Sequence, residues 1–126
     1  MYLLDTHTLL WSLYGSENLS ISVKRVLLDE EAVVYFSVVS LWEIAIKQSL
    51  GKLGVPQTIP EIYEECVRQD YRCLNITPEQ CELVKQLPSI HGDPFDRLMI
   101  CQAQEKKLMF LTRDQNISKY EIETYW

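Results

Sequence analysis

Short apolar runs alternate along the chain with stretches in which apolar residues recur every three or four positions. The run "YLL" at residues 2–4 precedes the helical pattern "THTLLWSLY", and the β-branched and aromatic run "AVVYFSVV" at 32–39 precedes a helical pattern that starts at Leu41. "CLNI" at 73–76, "LMFL" at 108–111 and a short segment near 122–126 read as further strands. Alternation of this kind predicts a three-layer α/β/α fold with a mostly parallel central sheet.

The predicted helix starts carry local signals of their own. In "HGDPFD" at residues 91–96, Asp93 fits the N-cap, Pro94 the first helical position and Asp96 the third, where a carboxylate suits the positive end of the helix dipole. Thr77 and Pro78 predict another helix start, and Ser40 with Glu43 has the spacing of a capping box. Each of these acids therefore has a purely structural explanation when it is taken alone.

Composition predicts one domain over residues 1–126. The chain is 47% hydrophobic and 24% charged, which fits an ordinary compact core. Its apolar stretches are too short to cross a bilayer, and no basic leader precedes them, so we expect a cytoplasmic protein without a membrane segment. The spacings of Cys66, Cys73, Cys81 and Cys101 match neither a zinc motif nor a disulfide framework, and we expect small buried hydrophobic residues.

Three acids follow predicted strands, and a fourth lies at the start of a predicted helix. Asp5 closes the first strand, Glu43 follows the second strand in the next helix, Asp96 lies in a helix first turn and Asp114 follows "LMFL". In a parallel sheet these junctions share one edge, where unpaired carboxylates would repel. Hard divalent cations take oxygen ligands and can activate water for phosphodiester hydrolysis. The pattern predicts a Mg²⁺ or Mn²⁺ site formed by Asp5, Glu43, Asp96 and Asp114.

Four segments resemble one known family. "LLDTHTLLW" at 3–11, "SLWEIAIKQSLGKL" at 40–53, "HGDPFDRLMICQA" at 91–103 and "LTRDQNISKY" at 111–120 are similar, in the same order, to PIN-domain proteins of the VapC toxin type. The resemblance implies a metal-dependent ribonuclease with its acidic cluster at the four acids named above. It also implies a homodimer and an antitoxin partner that folds over the active-site groove.

Other residues near the predicted cluster allow two interpretations. Thr6 and Thr112 could support a ligating carboxylate or cap a helix or turn. Arg97 and Arg113 could restrain an acid or contact RNA phosphate, although surface ion pairing is the more common role. We expect His7 to form local hydrogen bonds. The aromatic side chains of Trp11, Trp42 and Tyr14 fit helix packing better than base stacking.

Net charge argues against nucleic-acid binding by overall attraction. The chain has 18 Asp and Glu against 12 Lys and Arg, a net charge of -6, so the acids must be neutralised by a cation or covered by a basic partner. One rival interpretation is a receiver-like signalling domain, but it lacks the acidic pair, the middle-strand Asp and the late Lys. The other rival is a catalytically silent binding module whose acids receive basic side chains from a partner.

Overall fold

Two α-helices follow each of the first three strands, so that strands and helical segments alternate as the apolar pattern predicts. The computed structural model describes residues 1–126. Its strands are β1 (Tyr2–Leu4), β2 (Val34–Ser37), β3 (Arg72–Leu74), β4 (Met109–Leu111) and β5 (Thr124–Tyr125). Its α-helices are α1 (Thr6–Tyr14), α2 (Ile21–Leu28), α3 (Val38–Ser49), α4 (Ile59–Arg68), α5 (Pro78–Val84) and α6 (Pro94–Lys106).

The five strands form one parallel sheet in the order β3-β2-β1-β4-β5. The first strand of the chain is therefore the central one, with Leu3 opposite both Tyr35 of β2 and Phe110 of β4. Each strand has only two to four residues. Such short strands can be this apolar because helices cover the sheet on both faces.

Neighbouring side chains of β1 and β4 point to opposite faces of the sheet, as the pleat requires. Leu4 and Leu111 belong to a core cluster that also contains Leu9 of α1, Val23 of α2 and Ile62 of α4. Their neighbours Leu3 and Phe110 belong to a second cluster, together with Met99 and Ile100 of α6. The two cores confirm the three-layer α/β/α architecture predicted from the sequence.

The start of α3 differs from the prediction. The helix begins at Val38, where the sequence pattern predicted strand, and Ser37 caps it by accepting a hydrogen bond from the Val39 amide at 3.1 Å. Ser40 lies inside the helix and caps nothing, so the capping box predicted at Ser40 and Glu43 is wrong. The helix ends as predicted near Gly51, whose φ of 66° suits a residue without a side chain.

Two of the three aromatic residues expected to pack are largely exposed. Trp42 is 55% exposed, although it makes an edge contact with Phe95 at 5.1 Å between ring centroids, and Tyr14 is 41% exposed. Cys81 is exposed as well, whereas Cys66 and Cys101 are buried and Cys73 is half-buried. The expectation of four buried cysteines is therefore wrong for Cys81. No helix in the structure combines the length and apolarity that crossing a membrane requires.

Candidate functional site

The predicted acids meet at the carboxyl edge of the sheet, beside the central strand. Asp5 directly follows β1, and Asp114 follows β4, which is the neighbour of β1. Chain connections leave β1 toward β2 on one side, while β4 lies on the other, so a crevice opens between the strand ends. Glu43 reaches this edge from α3 and Asp96 from α6.

A cleft of about 420 Å³ contains all four predicted acids. Its wall also includes Asp93, and the basic side chains of Lys47 and Arg113 are its two permanent cations. Five carboxylates therefore face two positive charges in one concave site. The cleft carries an excess of negative charge when its acids are ionised.

Asp5 is held by the helix that it starts. Its Oδ1 accepts a hydrogen bond from the Thr8 amide at 2.8 Å, so Asp5 is the N-cap of α1 as well as the end of β1. The side chain is only 7% exposed. Burial raises the pKa of this carboxyl, while hydrogen bonds from Thr112 and Thr8 lower it in part.

Glu43 is the most deeply buried acid of the cleft, with 3% of its surface exposed. Its Oε2 lies 2.5 Å from Nζ of Lys47, one helical turn further along α3. The Thr6 hydroxyl donates to Oε1 at 2.5 Å, and the hydroxyl oxygens of Thr6 and Ser40 are 3.0 Å apart. Both carboxylate oxygens of Glu43 thus have a partner within the protein.

Asp96 occupies the first turn of α6, whose N-cap is Asp93 as predicted. The Asp93 carboxylate accepts a hydrogen bond from the Asp96 amide at 2.9 Å, and Pro94 fills the first helical position. Burial and the neighbouring charge of Asp93 raise the pKa of Asp96 to about 7. The charges of Glu43 and Asp5 add to this effect, whereas a hydrogen bond with His91 opposes it.

Asp114 lies on the loop after β4, where its own turn holds it. Its Oδ1 accepts from the Asn116 amide at 2.9 Å, and its amide donates to the Thr112 hydroxyl at 3.0 Å. Thr112 therefore connects the Asp114 loop with Asp5. This polar turn brings Asp114 to the wall of the cleft.

Neither arginine takes the ion pair that is the common role of such residues. The guanidinium of Arg113 stacks 4.3 Å above the ring centroid of Trp11 at the cleft wall. Arg97 is directed at backbone, and its Nη1 donates to the Pro88 carbonyl at 2.8 Å. His7 is exposed and lies 5.7 Å from the Trp11 ring between centroids.

A family model described as "PIN domain" matches residues 2–123. The chain belongs to the PIN domain family. No curated protein matches it in sequence at a significant level.

Three solved structures share the fold of this PIN domain at low sequence identity. DNA-bound VapBC from Salmonella typhimurium is 15% identical, with a TM-score of 0.70, over 98% of this chain and 96% of that chain. VapBC2 from Rickettsia felis, bound to a promoter DNA fragment, is 12% identical, with a TM-score of 0.73, over 99% of this chain and 98% of that chain. FitAB bound to the IR36 DNA fragment is 18% identical, with a TM-score of 0.67, over 99% of this chain and 94% of that chain.

The donor set of the PIN-domain cleft fits a hard divalent cation. Carboxylate oxygens are the ligands that Mg²⁺ and Mn²⁺ prefer, and five carboxylates line the cleft. Burial and the charge of Asp93 raise the pKa of Asp96, and a cation would oppose both effects. In the structure no three His, Cys, Asp or Glu side chains converge into a group arranged for metal coordination. Glu43 is held within the protein by an ion pair with Lys47 and by a hydrogen bond from Thr6.

Sequence reasoning missed two residues of this PIN-domain site. Lys47 could have been found from its spacing, because an acid and a lysine four positions apart on a helix face each other. The sequence assigned no role to His91, yet its Nε2 lies 3.2 Å from Oδ2 of Asp96. Its position five residues before Asp96 was a signal, but its other partner, Tyr120, is 29 positions away.

Proposed function

We propose that this PIN domain is a metal-dependent endoribonuclease of the VapC type, the toxin of a toxin–antitoxin pair. The observation that carries the proposal is the cleft in which five carboxylates face two cations at the carboxyl edge of a PIN fold. Metal-dependent hydrolysis at such a site needs neither a Gly-rich phosphate loop nor a nucleophilic serine. It suits the hydrolysis of a phosphodiester, whose charge a divalent cation can neutralise.

In this proposal Asp5, Glu43, Asp96 and Asp114 hold Mg²⁺ or Mn²⁺. The bound ion supplies a nucleophilic water and neutralises charge on the scissile phosphate. Thr6 orients Glu43, because its hydroxyl donates to Oε1, and Thr112 supports Asp5, whose pKa its side chain lowers. Lys47 pairs with Glu43 in the structure and would compete with a bound cation for this carboxylate.

RNA contacts are proposed for a side chain at the rim of the cleft. Arg113 is exposed above Trp11, so it can meet an RNA phosphate without breaking an ion pair. Arg97 has its hydrogen bonds on Pro88 and Tyr120 instead, and we assign it no contact with RNA.

The proposed partner is an antitoxin with a basic segment. The named structural neighbours are VapBC and FitAB complexes, and the cleft described here is acidic. A flexible segment of the partner would order along the groove and place an Arg or Lys among the carboxylates. A homodimer, a cytoplasmic location and a single domain over residues 1–126 complete the proposal on the strength of the sequence resemblance and composition.

One experiment tests the activity directly. Purified protein and the Asp96→Asn variant are incubated with structured and unstructured RNA, with Mg²⁺, with Mn²⁺ and with a chelator, and a mock purification from cells that lack the protein reports contaminating nuclease. We expect cleavage only by the wild type with a divalent cation. Cleavage that survives the chelator, or equal cleavage by the variant, would refute the metal site. No cleavage of any RNA would favour the silent binding module.

A further inference from the structure

A chain of hydrogen bonds links Asp96 through His91 to Tyr120 and Arg97. Nε2 of His91 is 3.2 Å from Oδ2 of Asp96, and Nδ1 of His91 is 2.7 Å from the Tyr120 hydroxyl. Nη1 of Arg97 donates to the same hydroxyl at 3.1 Å and to the Pro88 carbonyl at 2.8 Å. The backbone amide of His91 also donates to this hydroxyl, at 3.3 Å.

The donors around Tyr120 decide the direction of each hydrogen bond. A tyrosine hydroxyl has two lone pairs and one hydrogen. Arg97 and the His91 amide are donors only, and they occupy both lone pairs. The hydroxyl hydrogen must then point to Nδ1 of His91, which accepts it.

The direction of the hydrogen bond between His91 and Asp96 follows from that of the bond between Tyr120 and His91. Because Nδ1 accepts, the ring carries its proton on Nε2 and donates it to Oδ2 of Asp96. The opposite arrangement would give the Tyr120 oxygen three donors and leave its own hydrogen without an acceptor. Tyr120 is only 4% exposed, so such an unpaired hydroxyl would be costly.

We infer that His91 is a positioning residue for Asp96, held by Tyr120 and Arg97 as the tautomer that donates from Nε2. This inference rests on the proposed function, in which Asp96 is a metal ligand. The donated hydrogen bond fixes Oδ2, while Oδ1 of Asp96 accepts no hydrogen bond from the protein and remains for a cation in the cleft. Arg97 thus acts on the site from a distance, through the phenol and the imidazole.

Tyr120, which holds the His91 ring, is itself fixed in the core. Tyr120 belongs to the core cluster that includes Met99 and Ile100 of α6, the same helix that carries Asp96. The phenol and the carboxylate are therefore fixed to one packed unit, and the imidazole spans the gap between them. A hydrogen-bonded carboxylate of this kind loses fewer orientations when it binds a cation.

The tautomer can be measured on the protein without metal or RNA. The chain has two histidines, so ¹⁵N–¹H correlation spectra of the imidazole nitrogens, recorded at a mildly alkaline pH, are assigned with one His7→Gln variant. We expect the Nε2-protonated form for His91 in the wild type and a mixture of tautomers in Tyr120→Phe. An Nδ1-protonated form in the wild type, or an unchanged spectrum in Tyr120→Phe, would overturn the hydrogen-bond assignment.

The positioning role is tested by three substitutions at one position. The amide nitrogen of Gln can take the place of Nε2, that of Asn lies nearer the place of Nδ1, and Ala offers no donor. We expect His91→Ala and His91→Asn to weaken Mn²⁺ binding, measured by calorimetry, about tenfold. His91→Gln should restore most of the affinity, and RNA cleavage should follow the same order.

The outcomes separate this inference from the proposed function. Wild-type Mn²⁺ affinity in His91→Ala would overturn the positioning role, and so would a Gln variant no better than Asn. A wild-type protein that binds no Mn²⁺ would overturn the proposed function together with the positioning role. The tautomer measurement would still decide whether His91 donates to Asp96, since it needs neither metal nor activity.

Discussion

Lys47 and Glu43 form an ion pair inside the acidic cleft, with 2.5 Å between Nζ and Oε2. The lysine is one-third exposed whereas the glutamate is almost fully buried, so the pair brings a cation to the carboxylates from the solvent side. A divalent ion that binds Oε2 of Glu43 would compete with Lys47 for that oxygen. The protein therefore contains an internal competitor of the metal that we propose.

We expect Lys47→Met to strengthen Mn²⁺ binding several-fold, because the ion no longer displaces an ammonium group. The metal-free variant should lose stability, by on the order of 1–3 kcal/mol, because the buried Glu43 carboxylate is left without its cation. Calorimetric titration and thermal unfolding measure the two effects. Lys52→Met, which removes an exposed lysine just after α3 and outside the cleft, is the matched control. Weaker Mn²⁺ binding in Lys47→Met would refute the competition.

Asp96→Asn and Asp5→Asn should each reduce metal-dependent RNA cleavage by at least about a hundredfold while the fold survives. Asn has nearly the same shape but no charge to hold a cation, and at Asp5 it can still cap α1. Single-turnover cleavage assays and circular dichroism check both parts. Asp29→Asn is the control, since Asp29 lies at the exposed end of α2. Near-wild-type turnover in Asp96→Asn would show that the metal site is wrongly assigned.

Mg²⁺ or Mn²⁺ should raise the melting temperature of the wild type, because the ion binds the folded cluster and not the unfolded chain. Asp93→Asn should keep this response, since Asn caps a helix about as well as Asp. Differential scanning fluorimetry with and without the metal measures the shift. If Asp93→Asn lost as much of the response as Asp96→Asn, Asp93 would be a ligand and more than a cap.

Without divalent cations the free energy of unfolding should fall as the pH rises from about 4 to about 7. The raised pKa of Asp96, about 7 against 3.8, means that the folded chain keeps a proton that the unfolded chain has already lost in this range. The effect is roughly 4 kcal/mol at most. Urea denaturation across the range measures it, and Asp96→Asn should flatten the dependence. A wild type that gains stability over the same range, with Asp96→Asn following it, would contradict the shift.

A basic antitoxin segment and the metal should compete for the same carboxylates. Raising Mn²⁺ or Mg²⁺ should therefore weaken antitoxin binding more than NaCl at equal ionic strength, because screening acts on all charges and the metal acts at one site. Fluorescence anisotropy with a labelled partner segment measures both series. Equal weakening by the two salts would leave steric blockage of the groove as the better explanation of inhibition.

Local sequence patterns determined much of this protein. The alternation of apolar runs with helical periodicity predicted the parallel α/β/α sandwich, because burial on both faces of a sheet requires it. Asp93, Pro94 and Thr77 marked helix starts correctly, since a cap depends on groups within three residues. Asp5, Glu43 and Asp114 follow predicted strands, which was enough to place them at one edge of the sheet, whereas Asp96 reaches the same cleft from α6, a helix that follows α5 with no strand between them.

Tertiary structure decided what these local rules could not. Val38 and Val39 favour strand by propensity, yet α3 begins there because Ser37 caps it and Val39 is buried in the core beside α6. Which strand neighbours β1 depends on chain crossovers that no local pattern specifies. His91 gained its partner Tyr120 only when two loops far apart in sequence packed together, because hydrogen bonds of side chains follow distance in space and not distance along the chain.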